Sequence, residues 1–392
     1  MAIKAKYWTF KDYFIFTPDF DEPIDPYIET IINYNKLIFS NYKNIEKTFR
    51  NKGYYDICSN FNQQLSNSLD KLINLTQITF GYSFNKPLSN SLSQLINLTH
   101  LTFGGNFNQS LSNSLDKLIN LNHLTFDYDF DQPLSNSLSQ LINLNHLTFG
   151  YSFDQPLSNS LSQLINLNYL TFGHGFNQPL SNSLDQLINL THISFGRCFN
   201  KPLSNSLDKL INLTQITFGD EFNVQLENSL DKLINLTMIT FGDTFNKPLS
   251  NSLNQLTNLI EITFGYDFNQ SLTNTLYYLT KLEHLRLDYD FNQELNLPPN
   301  IKILTLNCNN KNIVDNLPNS IEQLNLSYRF NLPLDNLLNS IKKISFNIGS
   351  DYDNPLNNLP KSLEQLILPK NYILPIINID KNCIISYVSV LP

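Results

Sequence analysis

Five of the six histidines share one register of a regular spacing: His100, His123, His146, His192 and His284 are separated by multiples of 23 residues. The same register is filled elsewhere by Gln77, Tyr169, Gln215, Met238 and Glu261. A row of neutral imidazoles offers ligands to a divalent metal and hydrogen-bonding edges to an acidic partner. A row of one residue type lacks the enclosure of a catalytic metal site. The copies are also nearly identical throughout, so duplication of a single histidine accounts for the row as well as binding does. A second row, Tyr82, Tyr128, Tyr151, Tyr266 and Tyr289, offers either binding anchors or turn-packing residues. Asp127, Asp129 and Asp131 alternate like a calcium loop. Gln132 stands where that loop needs Gly, and Leu138 where it needs Glu, so they read as solvated turn residues. No P-loop, G-x-S-x-G, C-x-x-C or H-E-x-x-H is present. The chain reads as a non-enzyme without a cofactor or metal.

The elements that must carry these rows follow from the period itself. Phe61, Phe84, Phe107 and their successors to Phe291 recur every 23 residues, and Phe80 to Phe264 form a second ladder at the same step. A fixed period in this range marks a stacked-repeat architecture, in which each unit contacts mainly its neighbours. Taking Leu98 as position 1 of the unit Leu98 to Asn120, apolar residues fall at 1, 4, 6, 10, 14, 18, 21 and 22. Leu101 and Phe103 alternate with His100 and Thr102, which predicts a strand with positions 3 and 5 facing away from the core. Position 5 is a column of Thr from Thr79 to Thr263, interrupted by Ser194, and suits an exposed parallel strand. Gly104 ends the strand. Leu111, Leu115, Leu118 and Ile119 lie at i, i+4, i+7 and i+8, which predicts a short helix capped by Ser112 or Asn113. Position 11, Asn or Asp from Asn62 to Asn292, predicts side chains bonding turn backbone within and between coils.

The predicted fold is an α/β repeat solenoid with a curved parallel sheet and short convex helices. Residues 1–60 read as divergent N-terminal repeats and a cap: Phe14, Phe16 and Phe20 occupy positions 4, 6 and 10, and one unit is shortened before Ile57. Residues 61–291 carry the regular 23-residue repeats, 292–370 shortened repeats of 20–22 residues, and 371–392 a C-terminal cap.

Phe84-Asn85-Lys86-Pro87, Phe176-Asn177-Gln178-Pro179, Phe199-Asn200-Lys201-Pro202 and Phe245-Asn246-Lys247-Pro248 resemble the motif that names the FNIP-repeat family of amoebae and giant DNA viruses. The strand string LTHLTFG accompanies it. The resemblance covers roughly residues 11–370 and implies a leucine-rich-repeat-like fold. Leucine-rich repeats usually place Asn at position 9, whereas this chain has Phe at 10 and Asn at 11, so their turn geometry does not carry over. Some family members carry an F-box, which implies a substrate-binding adaptor of a ubiquitin ligase. Residues 11–60 are better explained as repeats than as an F-box.

Composition limits the partner. A net charge of −8 over 392 residues, with 15% charged residues, lacks the basic patch of a nucleic-acid binder. Cys58, Cys198, Cys308 and Cys383 follow no metal or disulfide spacing, and MAIKAKYWTFKDYFIF is not a secretory signal. No run reaches the ~18–20 apolar residues of a membrane span. The expectation is a cytoplasmic monomer (in the host cytoplasm if viral) that neither enters a membrane nor binds nucleic acid. It would bind an unidentified protein through the concave face. The residues expected there are His100, His123, His146, Tyr169, His192, Gln215, Met238, Glu261 and His284, with Tyr128 and Tyr151 at the rim. Metal binding by the histidine row is the other alternative.

Overall fold

Every regular coil contains one short strand, and the strands stack in parallel with equivalent positions opposite one another. The computed structural model describes residues 6–39, 59–327, 329–335 and 337–388. Ile57 and Cys58 lie outside these. The chain divides into two compact units, residues 1–210 and 211–392, each a parallel β-solenoid.

In the first unit β1 (Tyr7–Phe10) pairs antiparallel with β2 (Tyr13–Phe16), and β2 pairs parallel with β3 (Lys36–Phe39). β4 (Gln77–Thr79), β5 (His100–Thr102), β6 (His123–Thr125), β7 (His146–Thr148), β8 (Tyr169–Thr171) and β9 (His192–Ser194) continue the stack. The register is one coil to the next without slip: His100 opposite His123, Leu101 opposite Leu124, Thr102 opposite Thr125. Such pairing follows from equal coil length, because a period-two strand shifted by one residue would turn its leucine to solvent.

In the second unit β10 (Gln215–Thr217), β11 (Met238–Thr240), β12 (Glu261–Thr263) and β13 (His284–Leu287) belong to the long coils. β14 (Ile303–Leu306), β15 (Gln323–Leu326), β16 (Lys343–Phe346), β17 (Gln365–Leu368) and β18 (Ile384–Tyr387) belong to the shortened ones. Neighbours are parallel throughout. Where the coils shorten, a cleft of about 780 Å³ opens between the Tyr277–Tyr278 corner and Leu297-Pro298-Pro299.

The core is a pair of phenylalanine ladders. Phe103 stacks on Phe107 of its own coil at 4.0 Å and on Phe126 of the next at 5.4 Å. Phe84, Phe107 and Phe130 stack at 6.0 and 6.1 Å. All are essentially buried, and each contributes about 1.5–3 kcal/mol by leaving water. Position 11 locks the coils together. The backbone N–H of Asp131 donates to Asn108 Oδ1 at 3.0 Å, and that of Asp154 to Asp131 Oδ1 at 2.9 Å. The acceptor is a side-chain oxygen, not the amide nitrogen, which is why Asn and Asp interchange there.

One sequence reading is corrected. The short helix expected at Leu111–Ile119 is a run of separate turns. Ser114 N–H donates to Leu111 O, Asp116 N–H to Asn113 O, Leu118 N–H to Leu115 O and Leu121 N–H to Leu118 O, each an i+3 to i bond. Among the described residues, helices occur only at α1 (Ile28–Ile31), α2 (Lys311–Asp315) and a 3₁₀ turn at Asp25–Tyr27. Ser112 is left-handed (φ 42°), which blocks a helix at its start. The segment is also too short to repay helix nucleation. Because turns replace the helix, Ile119 leaves the buried face and lies 48% exposed.

The glycines at position 7, just past the strand ends, also allow close approach between coils: a Cβ on Gly173 would lie 1.7 Å from the carbonyl oxygen of Gly150.

Candidate partner-binding face

On each strand the middle residue points into the core and the flanking residues point to solvent. Leu101, Leu124 and Leu147 are buried, while positions 3 and 5 remain half-buried or exposed. One sequence register therefore becomes one column of side chains, with strands about 4.8 Å apart.

In the first unit that column is an aromatic stack. His100 and His123 lie with ring centroids 4.2 Å apart, His123 and His146 at 4.1 Å, His146 and Tyr169 at 4.3 Å, and Tyr169 and His192 at 4.4 Å. Interplanar angles are 9°, 10°, 6° and 24°. Each inner ring face is covered by its neighbours, so the stack presents ring edges. Lone pairs on imidazole nitrogens lie in the ring plane, so stacked rings aim them along parallel directions and not at one shared point. That geometry does not gather the tetrahedral ligand set of a zinc site. Among the described residues no cluster of three or more His, Cys, Asp or Glu is placed to hold a metal.

The ends and the middle of the stack differ. Thr99 Oγ1 lies 2.9 Å from His100 Nδ1, and Thr191 Oγ1 2.8 Å from His192 Nδ1. His123 and His146 follow Asn122 and Asn145 instead, and their buried Nδ1 atoms have no hydrogen-bond partner. Burial, then the neighbouring His100 and His146, push the His123 pKa down to about 4. Burial also lowers His100, aided by Lys36, and His146, aided by His100 and His192. His100, His123 and His146 are therefore biased toward their neutral form.

A second stack runs along position 8. Tyr128 and Tyr151 lie 4.5 Å apart, and Tyr151 and His174 4.1 Å. Tyr151 Oη approaches His174 Nε2 at 3.4 Å, and Cys198 Sγ approaches His174 Nδ1 at 3.6 Å. His174 is the histidine outside the first row. It falls in the tyrosine register, a signal readable from spacing but lost when the row is searched for tyrosine alone.

The three aspartates do not converge. Asp131 accepts in the inter-coil ladder, and Asp127, whose carboxyl burial holds above the usual range, ends its strand in the glycine position.

The second unit presents a different surface. Gln215 and Met238 stand half-buried in the first-row register, and His284 Nδ1 lies 3.5 Å from Glu261 Oε2. Arg286 replaces the threonine of position 5 and pairs with Asp288 at 3.1 Å. Tyr266 stacks on Tyr289 at 4.6 Å, and the Arg329 guanidinium lies over Tyr289 at 4.3 Å.

One stretch of the chain carries a family signature. The FNIP Repeat family model matches residues 291–329. The chain carries an FNIP repeat there. The fold of the chain is similar to leucine-rich-repeat structures. CroV588, a giant-virus protein described as a novel circular LRR protein, matches at TM-score 0.60 and 25% identity, over 98% of this chain and 67% of its own. An internalin, InlF of Listeria monocytogenes, matches at TM-score 0.54 and 17% identity, over 73% of this chain and 83% of its own. The Drosophila Toll–Spatzle complex matches at TM-score 0.55 and 14% identity, over 89% of this chain and 52% of its own. No curated protein matches the chain significantly. Among the described residues no helix is long and apolar enough to cross a membrane.

Proposed function

We propose that the FNIP-repeat chain is a non-catalytic binding module whose sheet face receives a protein partner. The observation that carries this reading is the stacked His–Tyr row of the first unit. Tyrosine is among the side chains that anchor interfaces. Here the rings are already fixed by their neighbours, so docking loses little side-chain entropy. Three of its imidazoles, His100, His123 and His146, favour the neutral form, and a threonine column borders the row, which suits a polar, uncharged epitope. The second unit, with Glu261 and Arg286, supplies charged contacts that discriminate between partners. The solved complex of the Toll relative with Spatzle is consistent with partner binding by this fold class.

The test is comparative capture. A partner recovered with the wild-type chain is lost when His123→Ala, Tyr151→Ala and Tyr169→Ala are combined, and is retained with Ile119→Thr, which leaves the sheet face intact. A partner that survives the combined sheet-face variant overturns this assignment.

A further inference from the structure

The isoleucines of position 22 were expected inside the coil and stand outside it. Ile73, Ile96, Ile119, Ile142, Ile165 and Ile188 are 51, 52, 48, 47, 49 and 51% exposed. One exposed isoleucine needs no account. Six on successive coils, at the strand spacing, form one unbroken apolar stripe in the first unit. Polar residues flank it: Asp116 and Lys117 precede Ile119, and Asn120 follows it. Asn120 is fixed, since its amide donates to Ile96 O at 2.9 Å, and Asn143 repeats this to Ile119 O at 2.9 Å. The stripe is therefore rigid as well as apolar. Duplication explains how it arose, but the surface is apolar whichever history produced it.

We propose that this stripe is the contact face between two copies of the chain. Three arguments select a second copy. The first is pitch. A row of half-exposed side chains repeating at the coil spacing over six coils is matched by a surface with the same repeat, and a second copy carries one. The second is charge. Two of the six coils carry Asp–Lys beside the isoleucine (Asp70–Lys71 and Asp116–Lys117), one carries Asp185–Gln186, and the other three carry Ser–Gln. The border holds three Asp and two Lys, so identical faces meet with little net repulsion. The third is area. Six half-exposed isoleucines leave on the order of 500 Å² of apolar surface, within the range of functional patches on monomers. The bordering asparagine, glutamine and lysine side chains supply the remainder of the roughly 800 Å² per partner of a standard interface.

The second unit supplies a substitution known to fit. Thr257 and Thr280 occupy the same register there, so threonine is compatible with the turn. Sedimentation equilibrium of the full chain, at about 1 to 100 µM, is expected to show a monomer–dimer equilibrium. The triple variant Ile96→Thr, Ile119→Thr, Ile142→Thr is expected to raise the dissociation constant at least about tenfold, with an unchanged circular dichroism spectrum. His123→Ala on the sheet face is expected to leave the dimer intact, which separates this face from the proposed partner site. A wild-type chain that stays monomeric over this range overturns the proposal. So does a dimer that the triple variant does not weaken, or one that His123→Ala weakens as much.

Discussion

At the scale of single residues, His123 is the group whose surroundings make the clearest demand. Burial and two flanking imidazoles hold it at about 4 in the fold, against about 6.5 in an unfolded chain. Between those values the unfolded chain binds a proton that the folded chain refuses. Stability therefore falls as pH drops from about 6.5 toward 4, and levels off below both values. His100 and His146, lowered for the same reason, act in the same direction. Urea midpoints of the wild type measured from pH 7 to 4 should decline, and His123→Asn should flatten part of that decline. Equal slopes for both chains would mean that the stacked imidazole is not the titrating group. The row itself was legible in the sequence, because a fixed spacing fixes which side chains become neighbours. The lowered pKa values were not, because they depend on how far each ring is buried and on which charged groups lie beside it.

At the scale of the element, the outer half of the coil shows where sequence reasoning stopped. Leucines at 111, 115, 118 and 121 satisfy one face of a helix and equally satisfy consecutive turns, each closing over three residues. The strand half had no such ambiguity, since period-two alternation admits one reading. What decides the outer half is backbone conformation. Ser89, Ser112, Ser135 and Ser158 all adopt φ between 42° and 47°, where a Cβ is strained. A β-branched residue fits this region worst, whereas glycine fits without cost. Ser135→Val should therefore lower stability by about 1–2 kcal/mol. Ser135→Gly should stay within about 1 kcal/mol of wild type, because relief of strain offsets the added freedom of the unfolded chain. Urea denaturation of the two variants checks the order. A loss for glycine as large as that for valine would contradict a left-handed turn residue here. The exposure of Ile119 follows from the same conformation. On a helix it would share the face of Leu118, and on a turn it occupies the corner.

At the scale of the whole molecule, a stacked array gains its stability coil by coil, from the coil itself and from each neighbour. Interior coils have two neighbours and the terminal element has one, so stability must decline toward an end. Among the described residues the first unit starts at β1, whose four residues are all exposed and which pairs antiparallel with β2, with Trp8 opposite Ile15. Its antiparallel direction differs from every strand pair that follows in that unit, so it covers the β2 edge without continuing the repeat. An edge left open would invite pairing with another chain, and a short closing strand prevents this. Trp8 is the sole tryptophan of the chain, so tryptophan fluorescence reports this cap, while far-UV circular dichroism reports the array. In a urea titration the fluorescence transition should come at lower denaturant than the dichroism transition, because the cap can separate before the coils behind it lose their neighbours. Tyr7 stacks on Phe14 at 4.6 Å, so removing that contact with Tyr7→Ala should move the fluorescence midpoint further down and leave the dichroism midpoint nearly fixed. Coincident transitions in both chains would mean that the cap and the array melt as one cooperative body, and the additive account of this solenoid would then fail at its N-terminal end.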